Sequence, residues 1–178
     1  LFSEDQLISK TINTKNLLLE TYWNNQTISF ESNIEQQENT LQIIGNVDFL
    51  KDTTVVHFDS SKMIILNNQW NFDQGNSIKI SGKNVEFEKF NIKSDNRFIS
   101  LTGLLSEDKT QELVMDINDF DLEFINPAVQ NDFFGQLNGY IKLREFYENP
   151  ILENELSISQ FKVDSFFVGD IFAQTKWS

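Results

Sequence analysis

Apolar and polar residues alternate along most of this 178-residue chain, and the period of two restricts its fold more than any other property. In "NDFDLEFINP" (118–127), Phe120, Leu122 and Phe124 share one parity, and acidic residues occupy the other. Because side chains alternate faces along a strand, such a segment is apolar on one side and anionic on the other. The pattern therefore predicts β-strands with one covered face.

The same alternation recurs through the second half of the chain, in "SIKIS" (77–81), "NVEFE" (84–88), "FISLT" (98–102), "LVMDI" (113–117), "YIKLR" (140–144), "LSIS" (156–159) and "FKVD" (161–164). Turn-forming segments separate most of these runs: "DQGN" (73–76), "SGKN" (81–84), "KSDN" (93–96), "SEDK" (106–109) and "YENP" (147–150). Strands at a spacing of roughly 8–12 residues predict an all-β chain. The turns are too short for parallel crossovers, so we expect mostly antiparallel pairing.

Helical signals are few. In "INPAVQNDFF" (125–134), Asn126 can cap a helix, Pro127 suits its first position, and Gly135 can end it. We therefore expect one short helix near 126–134, with the preceding strand ending near Phe124. The segment "EDQLISKTINTKNLLLE" (4–20) is compatible with either helix or strand.

Two internal similarities favour a repeat. "LLLETYW" (17–23), "IILNNQW" (64–70) and "IFAQTKW" (171–177) each end in Trp after three apolar and three other residues. The segments 43–65 and 101–124 also correspond, with Gly45 matching Gly103. We expect residues 1–70 to form part of a preceding β repeat and 71–178 the next repeat, both within one continuous curved sheet. The chain begins at Leu1 rather than Met, so we expect a fragment of a longer protein.

Composition excludes several function classes. The chain has 14 Lys and Arg against 27 Asp and Glu, a net charge of −13, which argues against binding to nucleic acid or to an anionic membrane surface. It has no Cys, which rules out disulfides, thiol catalysis and thiolate metal sites. No run approaches the ~20 apolar residues of a membrane-spanning helix. It contains no nucleotide-binding, metalloprotease or hydrolase motif, so we expect no enzyme activity, cofactor or metal.

Three sets of residues are candidates for chemistry, and each has a simpler interpretation. His57, the single histidine, has the opposite parity to its apolar neighbours and is expected to face solvent. The cluster Asp116, Asn118, Asp119 and Asp121 lacks the loop glycine and late Glu of a calcium loop, so a hydrated polar face is favoured. The Trp residues could be sugar-stacking platforms near Trp23 or Trp70, but closure of an apolar strip is favoured.

The apolar face of the predicted sheet could be used in two ways. Either the sheet folds back on itself and fills its own core, as a sandwich does, or it stays curved and open with its apolar face lining a groove. Composition does not decide between them. In the open form the groove-lining residues would be Ile78, Ile80, Val85, Phe87, Ile99, Leu101, Leu113, Met115, Ile117, Phe120, Leu122, Phe124, Ile141, Leu143, Leu156, Ile158, Phe161 and Val163.

The chain from about Trp70 onward resembles a known family. The similarity lies in "SKMIILNNQW" (61–70), "ISLTGLLS" (99–106), "LVMDINDFDLEFINP" (113–127), "GQLNGYIKL" (135–143), "ENPILENELSI" (148–158) and "FFVGDIFAQTKW" (166–177). This arrangement resembles the TamB (translocation and assembly module) proteins of the AsmA-like group, in their Bacteroidota form. It is a pattern of spacings and not a catalytic signature.

The resemblance implies a fold, a location and a function. It implies a β-taco, an open curved sheet with an apolar interior, in a periplasmic protein tethered to the inner membrane by an anchor outside this fragment. It implies an Omp85-type outer-membrane partner and transport of phospholipid acyl chains between the two membranes, in support of outer-membrane biogenesis. The alternative that we keep is a chaperone-like scaffold that binds strands of outer-membrane proteins during protein secretion.

Overall fold

The structure is a computed structural model that describes residues 2–7, 13–36, 39–129 and 131–177. Within these ranges the chain forms fourteen strands and a single 3₁₀ turn. The strands are β1 (Phe2–Leu7), β2 (Asn13–Asn24), β3 (Thr27–Gln36), β4 (Asn39–Phe49), β5 (Thr54–Phe58), β6 (Lys62–Ile65), β7 (Asn68–Phe72), β8 (Ser77–Ser81), β9 (Asn84–Ser94), β10 (Arg97–Leu105), β11 (Glu112–Asp121), β12 (Phe133–Arg144), β13 (Ile151–Val163) and β14 (Phe166–Trp177). The 3₁₀ turn spans Leu122–Ala128.

All fourteen described strands belong to one curved sheet, and every pairing between them is antiparallel. The main order is β1-β2-β3-β4-β5-β8-β9-β10-β11-β12-β13-β14. The predicted all-β, mostly antiparallel curved sheet is thereby confirmed. Each of the five turn-forming segments in the sequence separates two consecutive strands. The expected boundary between residues 70 and 71 falls inside β7, within the continuous sheet.

β4 and β9 do not pair with each other, because two pairs of short strands lie side by side between them. β5 and β8 lie between them along one half of their length, and the β6–β7 hairpin lies between them along the other half. Two buried polar side chains bind backbone groups at this division of the sheet. Ser61 Oγ donates to the Ile44 carbonyl and accepts from the Ile44 N–H, both at 2.9 Å. Asn76 binds both backbone groups of Phe58, as an adjacent strand would.

Cross-strand register sorts the side chains into two faces, because residues opposite each other in an antiparallel pair point to the same side. Leu101 pairs with Met115, and Met115 pairs with Ile141. Following such pairs from β2 to β14 gives one side, the apolar face, which carries most of the Ile, Leu, Val and Phe residues. The other side, the polar face, carries most of the charged and amide residues.

Bulges keep the apolar residues on one face where the sequence parity changes. Ile117 and Phe120 have opposite parity, yet both lie on the apolar face because the register shifts between them at Asp119. Asp119 has a φ of 49°, and Lys89 and Gln160 hold similar left-handed conformations at the bulges of β9 and β13. The bulge at Gln160 also explains why "LSIS" and "FKVD" form the single strand β13.

Ring contacts indicate that the apolar face is the concave side of the sheet. Trp70 on β7 and Phe120 on β11 are three strand spacings apart, about 14 Å in a flat sheet. Their ring centroids are nevertheless 5.8 Å apart. Phe30 and Phe58 likewise meet at 6.2 Å across the intervening Gly45. Rings on separated strands converge in this way when the face that carries them curves inward.

The predicted helix near 126–134 is present only as the 3₁₀ turn, which starts earlier and ends earlier. β11 ends at Asp121, so Leu122 and Phe124 lie on the turn and not on a strand. Asn126 does not cap a following helix. Its side chain accepts from the Phe133 N–H and donates to the Phe133 carbonyl, at 2.9 and 3.1 Å, and so aligns the start of β12. Gly135 lies inside that strand.

The ambiguous segment 4–20 contributes to strands β1 and β2. Residues 8–12 of that segment lie outside the described ranges.

Candidate functional site: a concave apolar trough

The structure brings the predicted groove residues together on one surface. Sixteen of the eighteen lie on strands with their side chains on the apolar face: Ile78, Ile80, Val85, Phe87, Ile99, Leu101, Leu113, Met115, Ile117, Phe120, Ile141, Leu143, Leu156, Ile158, Phe161 and Val163. Leu122 and Phe124 lie on the 3₁₀ turn, and Phe124 contacts the rings of Trp70 and Phe120 on the same face. We call this concave surface the trough.

The trough is larger than the sequence pattern indicated. Further apolar side chains of the same face include Ile28, Phe30, Val47, Phe58, Phe72, Phe90, Ile92 and Leu137. Phe90 and Ile92 were missed because the bulge at Lys89 interrupts the alternation that begins at Val85. Phe90 and Ile92 are two residues apart, and this spacing alone could have identified them as residues of one face. Phe72 was missed because its strand, which also contains Trp70, is only five residues long.

The trough is only partly filled by the chain itself. Among the side chains whose burial the structure describes, just four apolar ones are buried, Val55, Trp70, Leu122 and Phe124, and Val55 lies on the polar face. The strand residues of the trough are half-buried, and Ile80 is 40% exposed. The accessible surface is 11160 Å², whereas a compact monomer of this mass would have about 8,900 Å². This open surface distinguishes the fold from a sheet that packs against a second layer.

Ion pairs and amide hydrogen bonds cover the polar face. Lys79 Nζ lies 2.6 Å from Glu88 Oε1, and Arg144 Nη2 lies 2.6 Å from Glu153 Oε2. The hydrogen bond from Lys79 lowers the pKa of Glu88, and the same bond raises the pKa of Lys79. Both partners therefore stay ionised near neutral pH, which keeps this side of the sheet hydrated.

His57 lies on the polar face, opposite in parity to Val56 and Phe58 as predicted, but it is half-buried. Its Nδ1 lies 3.1 Å from the Asn76 carbonyl oxygen, at the division of the sheet. The imidazole therefore lies on the solvent-facing side of the sheet, as expected, and the β7–β8 turn partly covers it.

The acidic cluster near 116–121 is dispersed by the bulge in β11. Asp116 is exposed on the polar face, while the Asp121 carboxylate accepts from Arg97 Nη1 at 2.9 Å. Asp119 occupies the bulge, where its N–H donates to Asn138 Oδ1. No group of three potential metal-ligating side chains occurs among the residues that the structure describes.

The three Trp residues share the apolar face but differ in environment. Trp23 is 71% exposed and Trp177 is 64% exposed, whereas Trp70 is 2% exposed. Their sequence motifs differ too, because 17–23 and 171–177 each lie in one strand and 64–70 crosses the β6–β7 turn. Trp70 thus cannot present an open sugar-stacking platform. It anchors a part of the trough that the chain fills.

The second internal similarity corresponds to similar structure. Gly45 and Gly103 each lie on the apolar face in the first strand of a hairpin. A Cβ atom at either position would collide with a backbone carbonyl of the partner strand, that of His57 or that of Glu112. Both glycines therefore permit close approach of two strands.

Within the described ranges no helix is long and apolar enough to cross a membrane. No protein-family model matches the chain, and neither a curated protein nor a solved structure is significantly similar to it.

Proposed function

We propose that the trough carries phospholipid acyl chains as a non-enzymatic segment of a periplasmic bridge between the inner and outer membranes. The observation that carries the proposal is a concave apolar face, continuous across many strands, that the chain itself leaves largely open. A lipid tail that leaves a bilayer loses about 0.8 kcal/mol of hydrophobic stabilisation for each CH₂ exposed to water. A continuous apolar surface would remove most of that penalty along the route.

The side chains of the trough are better suited to letting a lipid tail move along the sheet than to binding it tightly at one position. They are mainly aliphatic or phenyl groups, which make weak dispersion contacts of similar strength at each step. A tail that moved from Leu101 to Met115 would exchange one such set of contacts for another. The process requires neither a nucleophile nor an acid.

The resemblance to TamB proteins supports the wider context of the proposal. In that context the segment is held by an inner-membrane anchor elsewhere in the full-length protein and works with an Omp85-type outer-membrane partner in outer-membrane biogenesis. Site-specific photo-crosslinking in cells would test the partner: adducts with an outer-membrane protein of that type support it, and adducts confined to unrelated proteins contradict it.

Lipid transfer is tested by a charge placed in the trough. Leu101 lies on the apolar face, and the adjacent Thr102 is exposed on the polar face of the same strand. We expect mass spectrometry to detect phospholipid co-purifying with the unchanged protein and with Thr102→Asp, and to find it reduced at least ~10-fold with Leu101→Asp. Folded Leu101→Asp that retains its lipid would overturn the proposal.

A second function, a chaperone-like scaffold for outer-membrane protein strands, is favoured by exposed aromatic side chains on β14. Phe166, Phe172 and Trp177 are each more than 60% exposed. Such side chains can contact those of a bound extended chain. Photo-crosslinking from Leu101 and from Phe172 separates the two functions, since the first predicts lipid adducts at Leu101 and the second predicts peptide adducts at Phe172.

A further inference from the structure

The 3₁₀ turn Leu122–Ala128 covers the trough at one place, above Trp70. The Phe124 ring centroid lies 5.2 Å from that of Trp70, at an interplanar angle of 88°. Phe120 completes the cluster, with its centroid 5.7 Å from Phe124. Trp70 and Phe124 are both buried, at 2% and 7% exposure, so the chain fills its own trough here.

Arg97 holds the turn in this position through two kinds of contact. Its guanidinium group lies 5.4 Å from the Phe124 ring centroid and 5.8 Å from that of Trp70. It also donates to the Asp121 carboxylate at 2.9 Å and to Asn68 Oδ1 at 2.8 Å. Arg97 thus connects the residue before the turn to the hairpin that carries Trp70.

The covered arrangement leaves one polar group unsatisfied. Trp70 is 2% exposed, and its indole Nε1 has no hydrogen-bond partner among the described residues. Buried donors are normally paired, because an unpaired one has lost its bond to water without replacement. The closed position of the turn therefore has a built-in cost, which opening would relieve if the N–H met an oxygen acceptor.

We infer that the turn is a displaceable lid, latched by Arg97, and that the acyl chain of a phospholipid takes the place of Phe124 beside Trp70 when the lid opens. The ester or phosphate oxygens of the same lipid are acceptors of the kind that the Trp70 N–H lacks. The inference rests on the proposed function. It adds a defined position for the acyl chain and a lid that controls access to that position.

The test uses Trp70 as the reporter. Trp23 and Trp177 are replaced by Phe, so that the fluorescence comes from Trp70 alone, and the protein is mixed with vesicles of phosphatidylcholine brominated on its acyl chains. Bromine quenches only a Trp that its chain contacts. We expect quenching in this background, and about five-fold more of it at limiting vesicle concentration with Arg97→Gln.

Arg144→Gln is the matched control, because it also removes an Arg–carboxylate pair, but on the polar face and away from the turn. We expect this control to match the parent protein. Asp121→Asn tests the latch from its other side with little change in volume, and remains informative if Arg97→Gln does not fold.

Photo-crosslinking from Leu101 in the same samples distinguishes failure of the lid from failure of the trough. Lipid adducts at Leu101 without quenching of Trp70 in any folded variant would overturn the lid and leave the proposed function standing. Equal quenching in Arg97→Gln, Asp121→Asn and Arg144→Gln would overturn the latch. Neither adducts nor quenching would overturn the proposed function and the lid together.

Discussion

Gly103 fills a position where any side chain would disturb the neighbouring strand. Its φ is 114°, which L residues rarely adopt, and a Cβ would collide with the Glu112 carbonyl on β11. Because the obstruction is backbone, no side chain can rotate away to relieve it. The residue thus permits the close β10–β11 pairing that positions Leu101 and Met115 in the trough.

We expect Gly103→Ala to lower the free energy of unfolding by about 2–4 kcal/mol, combining backbone strain with overpacking. Urea unfolding followed by circular dichroism would measure it. Gly82→Ala is the control: its φ of 57° is also left-handed, but a Cβ there meets no atom within 4 Å. The control should lose only about 1 kcal/mol. Equal losses at both sites would show that strand contact is not the cause.

Asp73 links the β7–β8 turn to β9. A hydrogen bond from Lys93 lowers the pKa of its carboxyl group, with a further contribution from Asn91, although desolvation opposes both. The pKa of this carboxyl group is lower in the folded state than in the unfolded state. The carboxylate therefore stabilises the fold at pH values above its unfolded pKa, which is near 4, and this stabilisation is lost as the pH falls through its folded pKa.

We therefore expect Asp73→Asn to reduce stability at pH 7 by less than about 1 kcal/mol, as for other partly exposed pairs. The variant should also lose less stability than the parent protein between about pH 5 and pH 2. Urea midpoints across that range would check both statements. Asp52→Asn, in the exposed β4–β5 turn, is the comparison, and an identical acid response in both variants would contradict the assignment.

At the scale of strands, the division between β4 and β9 depends on Asn76. Its amide accepts from the Phe58 N–H at 3.0 Å and donates to the Phe58 carbonyl at 2.8 Å and the Asp73 carbonyl at 2.5 Å. One side chain thus replaces the backbone partner that β5 lacks beyond the first residue of β8. The residue is 1% exposed, so water cannot take over these bonds.

Asn76→Ala should accordingly destabilise the protein by about 1–3 kcal/mol, because it leaves the partly buried N–H and carbonyl of Phe58 unpaired. Hydrogen exchange would localise the effect, with faster exchange expected at the Phe58 amide. Gln74→Ala, at an exposed position of the same turn, should leave that amide protected. Unchanged protection in Asn76→Ala would mean that the division is held by other contacts.

The strands of the second half could be predicted from the sequence because each contains at least one run in which apolar positions alternate. Alternation does not identify bulges, since a left-handed Asp119 or Gln160 is compatible with many other conformations. For that reason the single strand β13 and the trough positions Phe90 and Ile92 escaped prediction. The helix was misplaced because Asn126 has two possible partners, and only the tertiary structure brings Phe133 within its reach.

For the whole molecule, the sequence determined which residues share a face but not whether that face is filled. The sixteen strand residues predicted for the groove have the alternation that a sandwich core would also have. The choice depends on the curvature of a sheet of fourteen described strands and on the lack of a covering layer among the described residues. The burial of Trp70, in contrast to the exposure of Trp23, depends on the same long-range geometry.

An open trough predicts that a monomeric lipid will stabilise the whole sheet. A ligand that binds only the folded state adds about 2.7 kcal/mol at a concentration 100 times its Kd. We therefore expect a short-chain phosphatidylcholine, kept below its critical micelle concentration, to raise the melting temperature of the protein in a concentration-dependent way.

The matched pair on β10 makes this prediction specific to the trough. Thr102→Asp places its charge on the polar face and should retain the full shift in melting temperature. Leu101→Asp places the same charge among apolar side chains, where a bound tail would leave it without water, and the shift should shrink. A shift that persisted equally in both variants would place the lipid on another surface, and no shift in the parent protein would mean that the trough does not accept acyl chains.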